Sequence, residues 1–260
     1  MYIHYIVQVN GNLFYLEDND TSILIDVGVS FKSVCLALDN IGKKIDDVSA
    51  ILITHEHSDH IKGLPTLCKK INIPIYTCNK TKEYLNNYLK EKKAVGNIIG
   101  LEYNDCFQIN NLNIDIFETS HDAAQPCGFH ISNGKTSLTF ATDLGYISDK
   151  IYDYLNTSDL IVLESNYDKI MLEYGNYPFY LKKRISSDTG HLSNTDAAQA
   201  LTSILSINPN KKILLSHLSE NNNTVNVAKE TVCSCLKESG IDDANICVAT
   251  QDLSFEWYSV

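Results

Sequence analysis

One short stretch carries most of the information in this chain: Thr54-His55-Glu56-His57-Ser58-Asp59-His60, directly after the apolar run Ala50-Ile51-Leu52-Ile53. Its pattern, H-x-H-x-D-H, places three imidazoles and one aspartate within six residues at the end of a predicted strand. Core packing does not explain such a high local density of histidines. The alternative interpretation, a helix surface with polar or pH-sensing histidines, is weaker than that of a metal site. Nitrogen and oxygen donors without a thiolate suit Zn²⁺, Mn²⁺ or Fe and argue against a closed structural zinc site. The stretch predicts a metal-dependent hydrolase.

The spacing within this stretch predicts two metal positions. Alternate side chains of an extended segment face the same way, so His55 and His57 can reach one ion. Asp59 and His60 follow where the chain should turn into a helix opened by Gly63, and they would point towards a second position. Two ions about 3.5–4 Å apart form the arrangement that hydrolyses phosphate esters and amides.

Three later apolar runs end in further candidate ligands. The run 114–117 leads to His121, the run 137–142 leads to Asp143, and the run 212–216 leads to His217. Sheets of α/β proteins present their functional groups at such strand ends. Taken singly, each residue would be read as a turn or cap residue. Together with the first cluster, they predict the remaining ligands of a dinuclear site.

The complete pattern, H-x-H-x-D-H followed by a distant His, Asp and His, resembles the metallo-β-lactamase superfamily. The early stretch Ser22–Gly28 is similar to the opening strand of that superfamily and its buried aspartate. Tyr167 is a departure, since a histidine is expected there after Glu-Ser-Asn. Five further stretches resemble the bacterial YycJ/WalJ-like, exonuclease-like branch: Leu163–Asn166, Tyr177-Pro178, Leu181–Ile185, Gly190–Asn194 and Leu215–Ser219.

The resemblance implies an α/β (α+β) fold, namely a four-layer αββα sandwich. It also implies one domain over residues 1–260, with two βα halves that meet near residues 145–160. Asp26 would orient the ligand loop, although a turn role at the end of its strand is an alternative. The implied ligands are His55, His57 and His121 for the first ion, Asp59, His60 and His217 for the second, and Asp143 as the bridge between them.

Periodicity alone gives alternating strands and helices. Apolar residues at helical spacing predict a helix from Phe31 to Ile41, with Gly42 as its stop. Asn194 is predicted as the N-cap of a second helix, and residues 224–238 as a third. This pattern does not separate an αββα sandwich from a doubly wound sheet. The predicted strands are 50–54, 73–77, 113–118, 127–132, 137–142, 159–163, 212–216 and 246–250.

Composition sets further bounds. With 260 residues and 44% hydrophobic content, the chain can bury the core of one large domain or of two fused halves. We expect no signal peptide, because the N-terminus lacks a basic region and an extended apolar region. We expect no membrane span, because no apolar run approaches the required length. The eight cysteines form no C-x-x-C pair, which predicts reduced thiols in a cytoplasmic protein. A redox or metal pair at Cys233 and Cys235 is the alternative.

The predicted mechanism uses two divalent metal ions, with Zn²⁺ preferred over Mn²⁺ or Fe. A metal-activated water would be the nucleophile, and Asp59 would take part in catalysis through its ion. His191, in Gly190-His191-Leu192-Ser193-Asn194, is the candidate proton donor to the leaving group. Its alternative role is to anchor the loop.

The substrate is the least determined part of the prediction. A net charge of −11 and a pI of about 5.1 argue against a broad nucleic-acid groove. Lys182, Lys183, Arg184 and Asn194 are predicted to bind substrate, and nearby aromatic residues would either stack on bases or pack in the core. A solvated helix face is the alternative for the basic run. The aromatic residues are Tyr174, Tyr177, Phe179 and Tyr180.

These observations favour a phosphodiesterase or nuclease that acts on DNA or RNA ends. One alternative is a small-molecule hydrolase whose substrate is a lactone, a thioester or a cyclic phosphodiester. Another, of a different class, is a metal-loaded regulatory protein; a complete ligand set with a candidate acid argues against it. The sequence predicts neither the oligomeric state nor the polarity of cleavage.

Overall fold

The computed structural model describes residues 1–5, 11–249 and 257–259, and within it two seven-stranded sheets. The strands are numbered in chain order. The first sheet contains β1 (Tyr2–Tyr5), β2 (Phe14–Asp18), β3 (Thr21–Ile25), β4 (Ala50–Leu52), β5 (Pro74–Cys78), β6 (Asn97–Leu101) and β14 (Trp257–Ser259). The second contains β7 (Cys106–Ile109), β8 (Leu112–Glu118), β9 (Cys127–Ser132), β10 (Ser137–Ala141), β11 (Leu160–Glu164), β12 (Lys212–Ser216) and β13 (Asn245–Val248).

Strand order places the strand ends that carry the predicted ligands side by side. The first sheet runs β14-β1-β2-β3-β4-β5-β6 and the second runs β13-β12-β11-β10-β9-β8-β7. Pairing from β3 to β6 and from β10 to β13 is parallel, so the carboxyl ends within each set lie at one edge. The strands at the centre of each set are buried on both faces, which explains their continuous apolar runs.

Helices cover the outer face of each sheet. One apolar cluster lies between the sheets, with Phe14 and Phe140 in edge-to-face contact at 4.6 Å. Two further clusters pack helices against the outside of the first and second sheet. The predicted αββα sandwich is confirmed. The helices are α1 (Phe31–Asn40), α2 (Ser58–Ile61), α3 (Leu64–Cys68), α4 (Asn79–Glu91), α5 (Asp149–Thr157), α6 (Lys169–Tyr174), α7 (Phe179–Ile185), α8 (Asn194–Ile207) and α9 (Val225–Glu238).

Most predicted element bounds agree with the structure to within one or two residues. Gly42 follows α1 at a φ of +71°, as a glycine stop requires. The predicted N-cap of α8 was wrong: Ser193 caps the helix by accepting from the Asp196 amide, and Asn194 is its first residue. Residue 250 of the predicted strand 246–250 lies outside the described residues. The single domain and its halves near 145–160 stay predictions.

The cysteines and the helices bear on two further predictions. All eight cysteines are free, and Cys233 and Cys235 are half-buried along α9. Cys235 contacts the Thr202 hydroxyl at 3.5 Å rather than a second sulfur. None of the helices in the described ranges has the length and apolar character that crossing a membrane requires.

Candidate metal centre

Asp26 holds both ends of the loop that carries the H-x-H-x-D-H pattern. Its buried carboxylate accepts hydrogen bonds from the Thr54 amide at 2.9 Å and from the Thr54 hydroxyl. The same carboxylate lies 2.7 Å from Nδ1 of His60. With Nδ1 engaged, the ring presents Nε2 to the centre of the site. The position predicted to orient the ligand loop therefore contacts that loop directly.

Backbone hydrogen bonds and a close backbone approach also hold this loop in place. The Val27 amide donates to the His60 carbonyl at 2.7 Å, and the Asn12 amide donates to the Asp59 carbonyl at 2.8 Å. A Cβ atom at Gly28 would lie 1.6 Å from the Asp59 carbonyl oxygen. Only glycine fits at this position, which accounts for the Asp-Val-Gly stretch that follows β3.

Three site residues adopt the left-handed backbone conformation. Asp26 has a φ of +60°, and Asp143 and His217 each have a φ of +56°. All three directly follow or closely follow a strand: Asp26 follows β3, Asp143 comes after β10 and His217 follows β12. Non-glycine residues rarely adopt this conformation, and it concentrates at functional sites.

The predicted ligands form two groups of three side chains. The ligand atoms of His55, His57 and His121 lie within 4.8 Å of one another, and so do those of Asp59, His60 and His217. Within the first group, Nδ1 of His57 lies 3.3 Å from Nε2 of His121. Within the second, Oδ2 of Asp59 lies 3.3 Å from Nε2 of His60.

Asp143 lies between the two groups. Its Oδ1 is 3.6 Å from Nε2 of His121 and 3.5 Å from Nε2 of His217. Its Oδ2 is 3.5 Å from Nε2 of His60. One carboxylate thus faces ligand atoms of both groups, which is the position a bridging ligand requires.

Two buried atoms show that this donor set suits metal ions. Among the described residues, Nε2 of His55 and Oδ2 of Asp143 are buried without a hydrogen-bond partner. An unsatisfied buried polar group costs about 1–3 kcal/mol, and coordination of a cation would satisfy both atoms. Imidazole and carboxylate donors together suit divalent ions.

The electrostatics of the site point the same way. Burial, reinforced by the neighbouring His60 and His121, holds the pKa of His55 well below its usual range, so its ring is neutral as metal binding requires. Burial also lowers the pKa of His60, but the carboxylates of Asp26, Asp143 and Asp59 outweigh it and raise that pKa well above its usual range. The site therefore has a concentrated negative field that favours cations.

Glu164 is a site residue that the sequence argument missed. Its Oε1 lies 2.8 Å from Nδ1 of His191 and 2.7 Å from Nδ1 of His217. Its Oε2 accepts from the backbone amides of Leu144 and Leu192 at 3.0 and 3.1 Å. Burial raises the pKa of this carboxyl, but its histidine partners outweigh burial and hold it well below its usual range. The signal was available, because Glu164 ends the apolar run 160–163.

Three other contacts support the ligands. Nδ2 of the Asn12 side chain donates to Oδ2 of Asp59 at 3.2 Å, and Nδ2 of the Asn166 side chain donates to the His217 carbonyl at 2.8 Å. Asp122 lies 3.6 Å from Nε2 of His121. The sequence pattern did not single out Asn12 and Asp122, and Asn166 appeared only within the stretch Leu163–Asn166 that resembles the YycJ/WalJ-like branch.

The two ligand groups open on one continuous depression. A cleft of about 290 Å³ lies over the ligands and is bordered by Arg184 and His191. It shares these two residues with a wider cavity of about 510 Å³, which Lys62 and Tyr177 also line. The site is thus accessible from the surface along its Asp59 and His217 side.

The family described as the Beta-lactamase superfamily domain matches residues 21–217. The chain is 36% identical over 234 residues to Exodeoxyribonuclease YycJ of Bacillus anthracis, covering 88% of this chain and 86% of that protein. It is 37% identical to Exodeoxyribonuclease WalJ of Streptococcus pneumoniae serotype 2 strain D39, covering 89% of this chain and 86% of that protein. This chain belongs to the metallo-β-lactamase superfamily. The predicted resemblance to the YycJ/WalJ-like branch is confirmed.

A solved structure agrees on the metallo-β-lactamase fold. The metallo-β-lactamase fold protein YhfI of Bacillus subtilis matches with a TM-score of 0.73 and 14% identity, covering 99% of each chain. At that identity the likeness concerns the fold alone. The family match and the two relatives confirm the prediction of a hydrolytic enzyme of the metallo-β-lactamase superfamily.

The predicted proton donor lies at the metallo-β-lactamase site. His191 borders the cleft, and its side chain is 21% exposed. Glu164 occupies Nδ1, which leaves Nε2 as the ring nitrogen that a substrate can reach. Burial lowers the pKa of His191, but the Glu164 carboxylate outweighs it and the net shift is upward.

The residues predicted to bind substrate do not lie together. Arg184 borders the cleft and donates two hydrogen bonds to Asp122, at 2.5 and 3.1 Å. Lys182 and Lys183 instead line a separate cavity of about 540 Å³. Asn194 is fully buried, where its side chain bonds those of Ser165 and Asn223. The structure does not bring Asn194 to the cleft.

Tyr167 stands where the YycJ/WalJ-like pattern led us to expect a histidine. The ring is 5% exposed and packs with Leu172 and Ile185 in a small apolar cluster behind the cleft. Burial raises its pKa to about 12. Tyr167 therefore supports α6 and α7 by packing, and the ligand groups are complete without a side chain from this position.

Proposed function

We propose that this chain is a metal-dependent exodeoxyribonuclease, which hydrolyses phosphodiester bonds at the ends of DNA with two bound divalent ions. Two observations support the proposal: the position of Asp143 between two three-residue ligand groups, and the similarity to YycJ and WalJ over almost nine tenths of the chain. The position of Asp143 is the deciding one, because a bridging carboxylate makes the site dinuclear.

We assign His55, His57 and His121 to one ion, Asp59, His60 and His217 to the other, and Asp143 to both. Zn²⁺ is the ion that this set of imidazole and carboxylate donors favours, ahead of Mn²⁺ and Fe. When bound, a pair of such ions polarises a phosphoryl oxygen and activates a water molecule.

The protein's own side chains would orient the reacting groups and protonate the leaving group. Glu164 holds the His191 ring by Nδ1, so that Nε2 can give a proton to the departing oxygen. Glu164 also holds His217, so the proton donor and one ligand are positioned by a single buried carboxylate. Arg184, at the rim of the cleft, is placed to contact a phosphate if it exchanges Asp122 for the substrate.

The proposal extends to the setting of the enzyme. We propose that residues 1–260 form one domain and that the protein acts in the cytoplasm. The free state of all eight cysteines supports a reducing compartment.

The test is a substrate panel with zinc-loaded protein. End-labelled single- and double-stranded DNA, circular single-stranded DNA, RNA, a lactone and a bis-aryl phosphodiester would be compared at equal protein concentration. We expect stepwise shortening of linear DNA and no cleavage of the circle, because an exonuclease needs an end. Faster turnover of the lactone than of DNA would contradict the proposal and favour a small-molecule hydrolase.

A further inference from the structure

The segment of residues 169–185, here called the α6–α7 surface, exposes an unusual amount of apolar area. Four large side chains within it are strongly exposed: Ile170 at 67%, Tyr174 at 80%, Phe179 at 73% and Tyr180 at 74%. Only five others of this kind are exposed elsewhere in the described part of the chain. Large exposed apolar side chains concentrated in one segment favour an interaction surface.

Charge distinguishes the same segment from the rest of the chain. Its four basic side chains and one acidic side chain give it a net charge of +3, whereas the whole chain carries −11. The remaining residues therefore carry −14. A basic and aromatic segment on a strongly acidic protein fits a partner that is itself negative and aromatic.

The α6–α7 surface has two sides, and helix α7 separates them. Arg184 faces the metal cleft, while Lys182, Lys183 and Phe179 line the cavity of about 540 Å³ on the other side. The Lys183 ammonium lies 5.2 Å from the centre of the Phe179 ring. The Lys182 ammonium donates to the Glu173 carbonyl at 2.6 Å, a neutral acceptor that leaves its positive charge uncompensated by that contact.

Two acidic residues, Glu173 and Asp196, line this cavity beside its lysines. Lys169 is paired with Asp196 at 2.8 Å, so these two charges offset one another, and the Glu173 side chain lies at the wall. The side of the cavity next to α7 thus presents two ammonium groups beside an exposed ring. Proteins bind single-stranded nucleic acid without sequence preference through aromatic rings that stack on the bases and nearby cations.

We propose that the α6–α7 surface binds the single-stranded tail of a DNA substrate whose terminal phosphate lies in the metal cleft. Bases stack on Phe179 and its exposed aromatic neighbours, and phosphates contact Lys182 and Lys183. This proposal rests on the proposed exodeoxyribonuclease function. Crossing a helix about 10 Å wide takes about three nucleotides at about 3.4 Å each, so only longer strands reach the second side.

The experiment is a length series on the zinc-loaded full chain. We would measure kcat/KM for single-stranded DNA of 3, 6, 12 and 20 nucleotides in wild type and in Phe179→Ala/Lys183→Ala. The ratio of the 12-mer value to the trinucleotide value should fall about tenfold in the variant, because stacking and a phosphate contact are lost. A control, Tyr84→Ala/Lys92→Ala on and just after α4, likewise removes one exposed aromatic residue and one lysine, and it should keep the wild-type ratio.

Arg184→Ala distinguishes the two sides of α7. Because Arg184 borders the cleft, its loss should lower kcat/KM equally at every length. A Phe179→Ala/Lys183→Ala effect that is the same at every length, or absent at every length, would overturn the proposal. An effect that is absent at every length would instead indicate that the exposed apolar side chains bind a protein partner.

Binding by fluorescence anisotropy separates this proposal from the proposed function. Lys183→Ala should reduce the slope of log K against log salt for a labelled 12-mer by about 0.7, the value for one phosphate contact on a single strand. A wild type that binds the 12-mer through this surface but cleaves no DNA would overturn the nuclease function and keep the surface. Tighter binding of an RNA 12-mer than of the DNA 12-mer would overturn the assignment to DNA.

Discussion

The two sheets supply their metal-site residues in opposite ways. The first sheet supplies His55, His57, Asp59 and His60 from one loop of six residues after β4. The second supplies its residues one at a time, from strand ends far apart in the chain. Asp143, Glu164 and His217 lie side by side because β11 lies between β10 and β12. Local spacing builds one half of the site, and strand order builds the other.

The largest effect is expected from the residue that joins the halves. Wild type purified without chelator should contain about two transition-metal equivalents per chain, and Asp143→Ala should lose both, because its carboxylate faces both ligand groups. Metal analysis by mass spectrometry checks this, with the exposed Asp153→Ala as the control. Retention of one tightly bound ion in Asp143→Ala would mean that the two halves bind independently.

A smaller effect is expected from the proton donor His191, whose ring is held by Glu164 of the second sheet. His191→Ala should keep its metal but lose about 10²–10⁴-fold in turnover of DNA, whose leaving group needs a proton. An activated aryl phosphodiester should lose much less, since its leaving group departs without protonation. An equal loss on both substrates, or loss of metal, would show that His191 supports the ligands instead.

The smallest effect is expected from the residue that anchors the first sheet's loop. Asp26→Asn should weaken metal affinity about 10–100-fold, because the amide no longer offers a carboxylate to His60 and Thr54. Competition with a chromophoric chelator measures this. Unchanged affinity would show that the close approach at Gly28 is enough to hold the loop.

The contrast between the halves also explains what the sequence could predict. Strands such as 127–132 and 212–216 were predicted to the residue, because apolar runs bounded by turn residues have few alternatives. The loop ligands were recognisable because they are close in sequence. Glu164 ends an apolar run as other candidates do, but its partners His191 and His217 are distant in the chain, so its role follows only from the fold.

Surface residues were harder to place for a different reason. The run Lys182-Lys183-Arg184 is continuous in sequence, but a helix turns about 100° per residue, so its members face two cavities. Asn194 was predicted as a cap and as a substrate contact, yet the neighbouring Ser193 caps α8 and Asn194 is buried. The Asn194 prediction was wrong by one residue, because two adjacent polar residues, Ser193 and Asn194, could each cap the helix.

The left-handed backbone conformation at Asp26, Asp143 and His217 lowers folding stability at positions that the site needs. For a residue with a Cβ this conformation costs about 1–2 kcal/mol, whereas glycine adopts it freely. His217→Gly would remove this backbone cost, but it would also take a hydrogen-bond partner from the buried Glu164 carboxylate, so the two effects on stability oppose each other. Aspartate and histidine at such positions indicate selection for what the site does.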